Sequence, residues 1–214
     1  MTVIANLSEP PIDCDLCPRL VEFRRANDRA YPDFHNAPVE SFGDPQARFL
    51  IVGLAPGLKG ANATARPFTG DYAGDLLYAT LAKFGWSRGT YQARPDDGLE
   101  LVGAMITNAV RCVPPQNKPT TAEIKSCRPF LINRMAALPR LDTILVLGRI
   151  AHDQVLTAIG AKRSAYPFGH GAQHRVELPD GRTVRMIDSY HCSRYNTNTG
   201  RLTAAMFENV FAMI

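Results

Sequence analysis

Four of the five cysteines are spaced so that they could hold a metal. Cys14 and Cys17 form a Cys-x2-Cys pair, and Cys112 and Cys127 form a wider pair. Two thiolates three positions apart can bind the same metal, so the first pair is the stronger indication. The residues alone fit structural zinc or an iron–sulfur cluster. The alternative is that the wider pair consists of small buried hydrophobic residues. We prefer a metal, because the first pair lies in an otherwise unstructured leader that needs anchoring.

Groups that could bind a small molecule follow strand-like apolar runs. His191 comes shortly after the run at 184–187, Asn108 directly after the run at 104–107, and a Gly-Leu-Ala-Pro-Gly segment directly after the run at 49–52. Ligands bind outside the carboxyl ends of strands in open parallel sheets, so these groups predict one shared site. The alternatives are a histidine that caps a strand end and an asparagine that bonds its own backbone.

The elements that must position these residues alternate along the chain. Helical stripes of apolar residues or helix-start residues lie between the strand-like runs. Strands are predicted at 49–52, 104–107, 143–147 and 184–187, helices at 73–85, 121–138, 152–159 and 203–213, and loops at 86–100 and 164–183. This alternation predicts an α/β fold, a three-layer α/β/α sandwich around a four-stranded parallel sheet.

Length and composition agree with one globular domain over residues 1–214. Apolar residues make up 45% of the chain and charged residues 21%, which are ordinary globular values. The net charge of +4 is compatible with a nucleic acid but does not require one. The start of the chain has no signal-peptide pattern, and no apolar run reaches the roughly 18 residues of a spanning helix. We therefore expect a cytoplasmic protein without membrane contact, a monomer, and no disulfide framework.

Six features follow one another along the chain: the Cys-x2-Cys pair, GLAPG at 53–57, RPFTGDYAG at 66–74, TNAVRC at 107–112, Cys127 and HCSRYNTNTGRLT at 191–203. Together they resemble a family 5 uracil-DNA glycosylase, of the type B, iron–sulfur branch of that superfamily. The resemblance covers about residues 14–212. It implies the same sandwich fold, a [4Fe–4S] cluster on the four cysteines, and hydrolytic excision of uracil from damaged DNA. Hypoxanthine and xanthine are further implied substrates, in double-stranded and possibly also single-stranded DNA.

The resemblance also assigns a role to each residue of the predicted site. A flipped base must be held while negative charge gathers on it. His191 would donate a hydrogen bond to uracil O2, an interaction of ~3 kcal/mol. Asn108 would read the O4 and N3–H edge, because its amide both donates and accepts. Phe68 would stack on the base, and the wall facing the attacking water would be formed by Gly53, Ala55, Pro56 and Gly57.

Two departures from the superfamily pattern affect these assignments. Related families carry Asp, Asn or Glu in the first motif to handle water, whereas Ala55 can activate nothing. Asp71 is the candidate carboxylate that compensates, although an N-cap at the start of a helix is its simpler role. Cys192 stands where the last motif often has proline, and we expect it to be a packing residue because it faces away from its neighbour His191.

The stretch after His191 is predicted to contact DNA. Ser193, Arg194, Tyr195 and Asn196 would form a loop in the minor groove, with Tyr195 or Arg194 filling the space left by the flipped base. Phosphate contacts are predicted for Arg111, Lys118 and Arg201. One alternative is a metal-stapled DNA-binding module without catalysis. Another, a nucleotide-binding enzyme, is disfavoured because GLAPG matches neither phosphate-binding glycine motif.

Overall fold

The computed structural model describes residues 7–214, so the first six residues of the predicted domain lie outside it. The strands in this part of the chain are β1 (Phe42–Gly43), β2 (Phe49–Gly53), β3 (Ser87–Arg88), β4 (Glu100–Leu101), β5 (Ala104–Asn108), β6 (Thr143–Leu147), β7 (Gln173–Glu177) and β8 (Thr183–Ser189). The α-helices are α1 (Pro18–Ala30), α2 (Ala61–Thr64), α3 (Tyr72–Lys83), α4 (Thr121–Ala136), α5 (Arg149–Ala158), α6 (Arg194–Asn198) and α7 (Ala204–Phe211).

The central sheet has six strands in the order β1-β5-β2-β6-β8-β7. The four inner strands are parallel, which confirms the predicted parallel strands. The prediction of a four-stranded sheet is wrong, because β1 and β7 add antiparallel edges. β1 has only two residues, and β7 is a polar strand in which Val176 alone is buried. Neither edge therefore shows the apolar run by which buried strands are recognised.

The two faces of the sheet pack against different helices, which gives the predicted three layers. On one face Leu50 and Val52 share a core with Leu131 of α4 and Val155 of α5. On the other face Phe49, Ile51 and Leu145 lie in a core with residues of α3 and α7, among them Leu77, Leu81, Phe207 and Phe211. The inner strands are buried on both faces, as parallel strands between helical layers must be.

Local structure also appears in segments for which none was predicted, among them α2. The leader is not unstructured, because α1 begins at Pro18, directly after Cys17. The predicted loop at 164–183 contains β7, and β3 pairs with β4 around the predicted loop at 86–100. The four predicted helices are confirmed as α3, α4, α5 and α7. No helix within residues 7–214 is long and apolar enough to cross a membrane.

Candidate active site

An open cleft of about 360 Å³ lies at the carboxyl ends of β2 and β5. Most of the predicted site residues line it together: Ala55, Pro56, Gly57, Phe68, Asp71, Asn108, His191, Ser193 and Arg194. Gly53 lies behind this wall. A Cβ there would stand 2.4 Å from Asn108 Oδ1 and 2.8 Å from the Phe68 ring, so glycine is required for the close approach of those two side chains.

Asn108 lines the cleft and carries an unsatisfied acceptor atom. It is the last residue of β5 and is 3% exposed. Its Oδ1 atom is buried and has no hydrogen-bond partner among residues 7–214. The predicted alternative, an asparagine whose side-chain oxygen bonds its own backbone, therefore does not occur. A buried orphan acceptor is costly, so a ligand with an N–H donor would be stabilised here.

His191 is the second residue after β8, which ends at Ser189, and it borders the same cleft. Burial lowers the pKa of its imidazole to about 4. The ring is therefore neutral near pH 7 and carries one N–H donor. It does not cap the strand: within the described residues no side chain or backbone group bonds either ring nitrogen. His191 instead lies 5.9 Å from the Phe68 ring, centroid to centroid, with 30° between the planes.

Phe68 holds an unusual backbone conformation. Its φ is +54°, in the left-handed region that bulky residues rarely adopt. The side chain is 7% exposed and lies beside Gly53 and His191. Strain of this kind persists only where the surrounding structure imposes it. The ring consequently forms a fixed flat wall of the cleft.

Asp71 is both a helix cap and part of the cleft wall. Its Oδ1 accepts a hydrogen bond of 3.1 Å from the Gly74 N–H at the start of α3. Burial raises the pKa of the carboxyl above its ordinary value, although the Gly74 and Ala73 N–H groups lower it. Its Oδ2 faces the glycine-containing loop, where a Cβ at Gly60 would come within 2.5 Å of it. The predicted N-cap is confirmed, and the second oxygen remains available to the cleft.

The predicted DNA-contacting loop is instead a short helix, α6. Ser193 caps it by accepting from the Asn196 N–H, and Asn196 Nδ2 donates to His191 O at 2.8 Å. Arg194 lies 5.2 Å over the Tyr72 ring. Tyr195 is 73% exposed. Asn196 therefore supports the His191 backbone, while Tyr195 is the large side chain that projects.

The four predicted cysteine ligands line a second, smaller and more enclosed cavity beside α1. Burial raises the pKa of Cys112 to about 12 and that of Cys127 to about 11. Arg111 is 1% exposed, its guanidinium pairs with Glu9, and its backbone N–H donates to Cys127 Sγ at 3.4 Å. The predicted phosphate contact of Arg111 is wrong, because this side chain is buried. Cys192 is fully buried away from this cavity, as predicted for a packing residue.

Two polar networks near the cleft were missed by the sequence analysis. Arg66 pairs with Asp97 beneath the Phe68 segment. His152 bonds Asp188, three residues before His191, and Tyr166 O. Burial opposes the imidazolium, but the Asp188 contact outweighs it and the pKa of His152 is raised. Of these residues only Arg66 belongs to a motif quoted above. The others are far from their partners in the sequence, and no spacing pattern links them.

A model of the uracil-DNA glycosylase superfamily matches residues 40–214. The chain therefore belongs to this superfamily. It is 46% identical over 202 residues to the type-5 uracil-DNA glycosylase of Thermus thermophilus, a match that covers 92% of this chain and 90% of the relative. The type-5 enzymes of Mycobacterium tuberculosis and Pyrobaculum aerophilum are 40% and 38% identical, over 92% and 93% of this chain and 75% and 86% of their own lengths. The predicted resemblance to family 5 is confirmed.

Proposed function

We propose that this chain is a monofunctional DNA glycosylase that excises uracil from DNA and leaves an abasic site for base excision repair. The observation that carries the proposal is the buried, unpaired Oδ1 atom of Asn108, a residue that lines the cleft. Deamination of cytosine converts N3 from an acceptor into an N–H donor. An unsatisfied acceptor therefore favours the deaminated base over the normal one.

The same reasoning extends the proposal to hypoxanthine, and the resemblance to family 5 extends it to xanthine. Deamination of adenine creates an N–H at N1, the purine counterpart of uracil N3–H, whereas guanine carries that N–H before its deamination to xanthine. The cleft of about 360 Å³ is open on one side, which supports entry of the larger purine ring. Phe68 would stack on either base, because stacking on a flat aromatic wall is tolerant of base identity.

Catalysis would combine one neutral donor, His191, with one carboxylate, Asp71. His191, with its pKa lowered to about 4, would donate its N–H to uracil O2 as negative charge develops there. Asp71 would orient the attacking water or stabilise the cationic sugar through the oxygen that does not cap α3. Ala55, Pro56 and Gly57 would shape the wall on the water side.

The protein would act mainly on duplex DNA from which the base has been flipped. Tyr195, exposed on α6, is the side chain best suited to fill the gap in the stack. Arg194 beside it is the second candidate, and Ser193 and Asn196 would fix the position of this helix. The monomeric state and cytoplasmic location stay predictions.

We further propose that the four cysteines hold a [4Fe–4S] cluster. The four cysteines line one cavity, and four thiolates fit either zinc or an iron–sulfur cluster. The resemblance to the iron–sulfur branch of the superfamily favours the cluster. The group would supply a structural staple between α1, α4 and the segment after β5; iron and labile sulfide of about four each per chain would support it, and one zinc would contradict it.

A single-turnover incision assay tests the activity. Labelled duplexes carry deoxyuridine, deoxyinosine, deoxyxanthosine or thymidine at one position and are treated with alkali after incubation. We expect alkali-dependent cleavage in the first three lanes and none with thymidine. Absence of cleavage in every lane, from protein with its full iron content, would favour the non-catalytic DNA-binding module.

A further inference from the structure

The segment that carries Phe68 is held by a tyrosine from a distant part of the chain. Tyr91 lies between β3 and β4, a region without a predicted role. Its phenol donates to Phe68 O at 3.3 Å and accepts from the Gly70 N–H at 3.3 Å. One hydroxyl therefore bridges both sides of the left-handed turn at Phe68.

The Tyr91 ring is itself fixed by a stack. It lies parallel to Tyr78 of α3, with 4.5 Å between centroids and 21° between planes. The Tyr78 hydroxyl donates to Pro67 O at 2.7 Å. The carbonyls of Pro67 and Phe68 are thus each held by one ring of the same pair.

An ion pair between Arg66 and Asp97 completes the hydrogen-bond network around Phe68. Arg66 donates to both carboxylate oxygens of Asp97 at 2.7 and 2.8 Å, and to Thr69 Oγ1 at 2.7 Å. Asp97 also accepts from the backbone N–H groups of Gln92 and Leu99. Asp97 therefore joins the loop that bears Tyr91 to the segment that bears Arg66 and Phe68. Each of the two segments stabilises the other.

The Phe68 segment packs tightly against Gly74 at the start of α3. A Cβ at Gly74 would lie 1.8 Å from Phe68 O and 2.6 Å from the Tyr91 hydroxyl. Both atoms rest directly against the first turn of α3. Phe68 O therefore cannot move towards the helix, and the Tyr91 hydroxyl is packed beside it.

We propose that Tyr91 is a positioning residue for base excision, acting through Phe68. The inference rests on the proposed function, in which the Phe68 ring stacks on the flipped base. The Tyr91 hydroxyl holds Phe68 in its left-handed conformation and so keeps the ring parallel to the space that the base enters. Without the hydroxyl the segment relaxes, and the base is held in fewer productive orientations.

The test compares Tyr91→Phe, Phe68→Ala and the double variant on a deoxyuridine duplex. Tyr91→Phe keeps the ring stack and removes one oxygen. We expect its maximal single-turnover rate to fall about tenfold, the size of one lost hydrogen bond, with unchanged affinity for an abasic-site duplex, which has no base to stack. The double variant should be no slower than Phe68→Ala, since residues that act through one another are not additive.

Tyr31→Phe is the matched control, because Tyr31 also stacks on an aromatic neighbour, Phe34, and neither residue lines the cleft. It should excise at the wild-type rate. A wild-type rate for Tyr91→Phe, or additive losses in the double variant, would overturn the inference while the proposed function stands. If Phe68→Ala excises normally, the stacking role fails and the inference fails with it. A wild-type protein inactive on every lesion would instead refute the proposed function itself.

Discussion

The cleft and the cysteine cavity share one segment of the chain: Asn108 lines the cleft, and Cys112, four positions later, lines the cysteine cavity. The two sites nevertheless differ in how open they are and in their polar groups. The cysteine cavity is the more enclosed of the two and is lined by apolar residues such as Leu20 and Phe130. The cleft is more open, and the buried Asn108 Oδ1 belongs to a residue of its wall. The more enclosed cavity suits a ligand that stays, whereas the more open one suits a ligand that comes and goes.

Burial has opposite consequences for the chemistry of the two regions. In the cleft it lowers the pKa of His191 and raises that of Asp71, so both side chains are shifted towards their neutral forms. In the cysteine cavity it raises the thiol pKa values as well, but a bound metal requires thiolates and reverses this preference. Burial in the cleft therefore works against charge on both groups, and the cysteine cavity would depend on the proposed cluster for charge compensation.

Loss of one cysteine should have the largest effect. Cys112→Ser should lose iron and labile sulfide, and its melting temperature should fall steeply, because α1 and α4 are no longer joined. Cys192→Ala is the control, since this buried cysteine lies outside the cavity. Iron analysis and thermal melting are carried out on both variants. A Cys112→Ser protein with full iron content would contradict the proposed role of Cys112 as a ligand.

Removal of the His191 side chain should affect chemistry without affecting the metal. His191→Ala should lower the single-turnover excision rate on the order of 10²- to 10³-fold, as loss of a preorganised donor does. Iron content and affinity for undamaged duplex should be unchanged. An excision rate within threefold of wild type would show that His191 is not the donor.

Asp71→Asn separates the carboxylate from the cap, since asparagine is an equally good N-cap. We expect an unchanged melting temperature and an excision rate lower by about 10- to 100-fold. Asp71→Ala should lose the same activity and also about 1 kcal/mol of stability. If Asp71→Asn is fully active, the residue is a helix cap only.

The pH profile gives a smaller effect that distinguishes the two groups. His191, with a pKa of about 4, should produce no inflection near pH 6.5. Asp71 acts as a carboxylate, and burial raises its pKa above the usual 3.8, so the rate should fall as pH drops through that raised value. The acid limb should be missing in Asp71→Asn. An inflection near pH 6.5 that disappears in His191→Ala would contradict the lowered pKa.

The smallest effect belongs to the helix that carries Cys127. Thr120 and Glu123 form a reciprocal capping box at the start of α4. Thr120→Ala should cost about 1 kcal/mol of stability, measured by urea unfolding, and leave the excision rate unchanged. A changed rate would mean that α4 is coupled to the cleft.

Sequence patterns predicted the parts of this molecule that depend on local periodicity or on strand ends. The four inner strands are apolar runs, and Asn108 and His191 lie at or just after the ends of strands. The edge strands escaped prediction because β7 is polar and β1 is short. Tyr91 and Asp97 escaped it because their partners, Phe68 and Arg66, are 23 and 31 positions away, and no spacing rule links them.

The most direct test of the central claim is a crystal structure of the protein with an abasic-site duplex and free uracil. The account predicts uracil parallel to the Phe68 ring, its N3 about 2.7–3.2 Å from Asn108 Oδ1, and its O2 at the same distance from a His191 ring nitrogen. Uracil bound elsewhere, or bound in the cleft with Asn108 Oδ1 still unpaired, would contradict it.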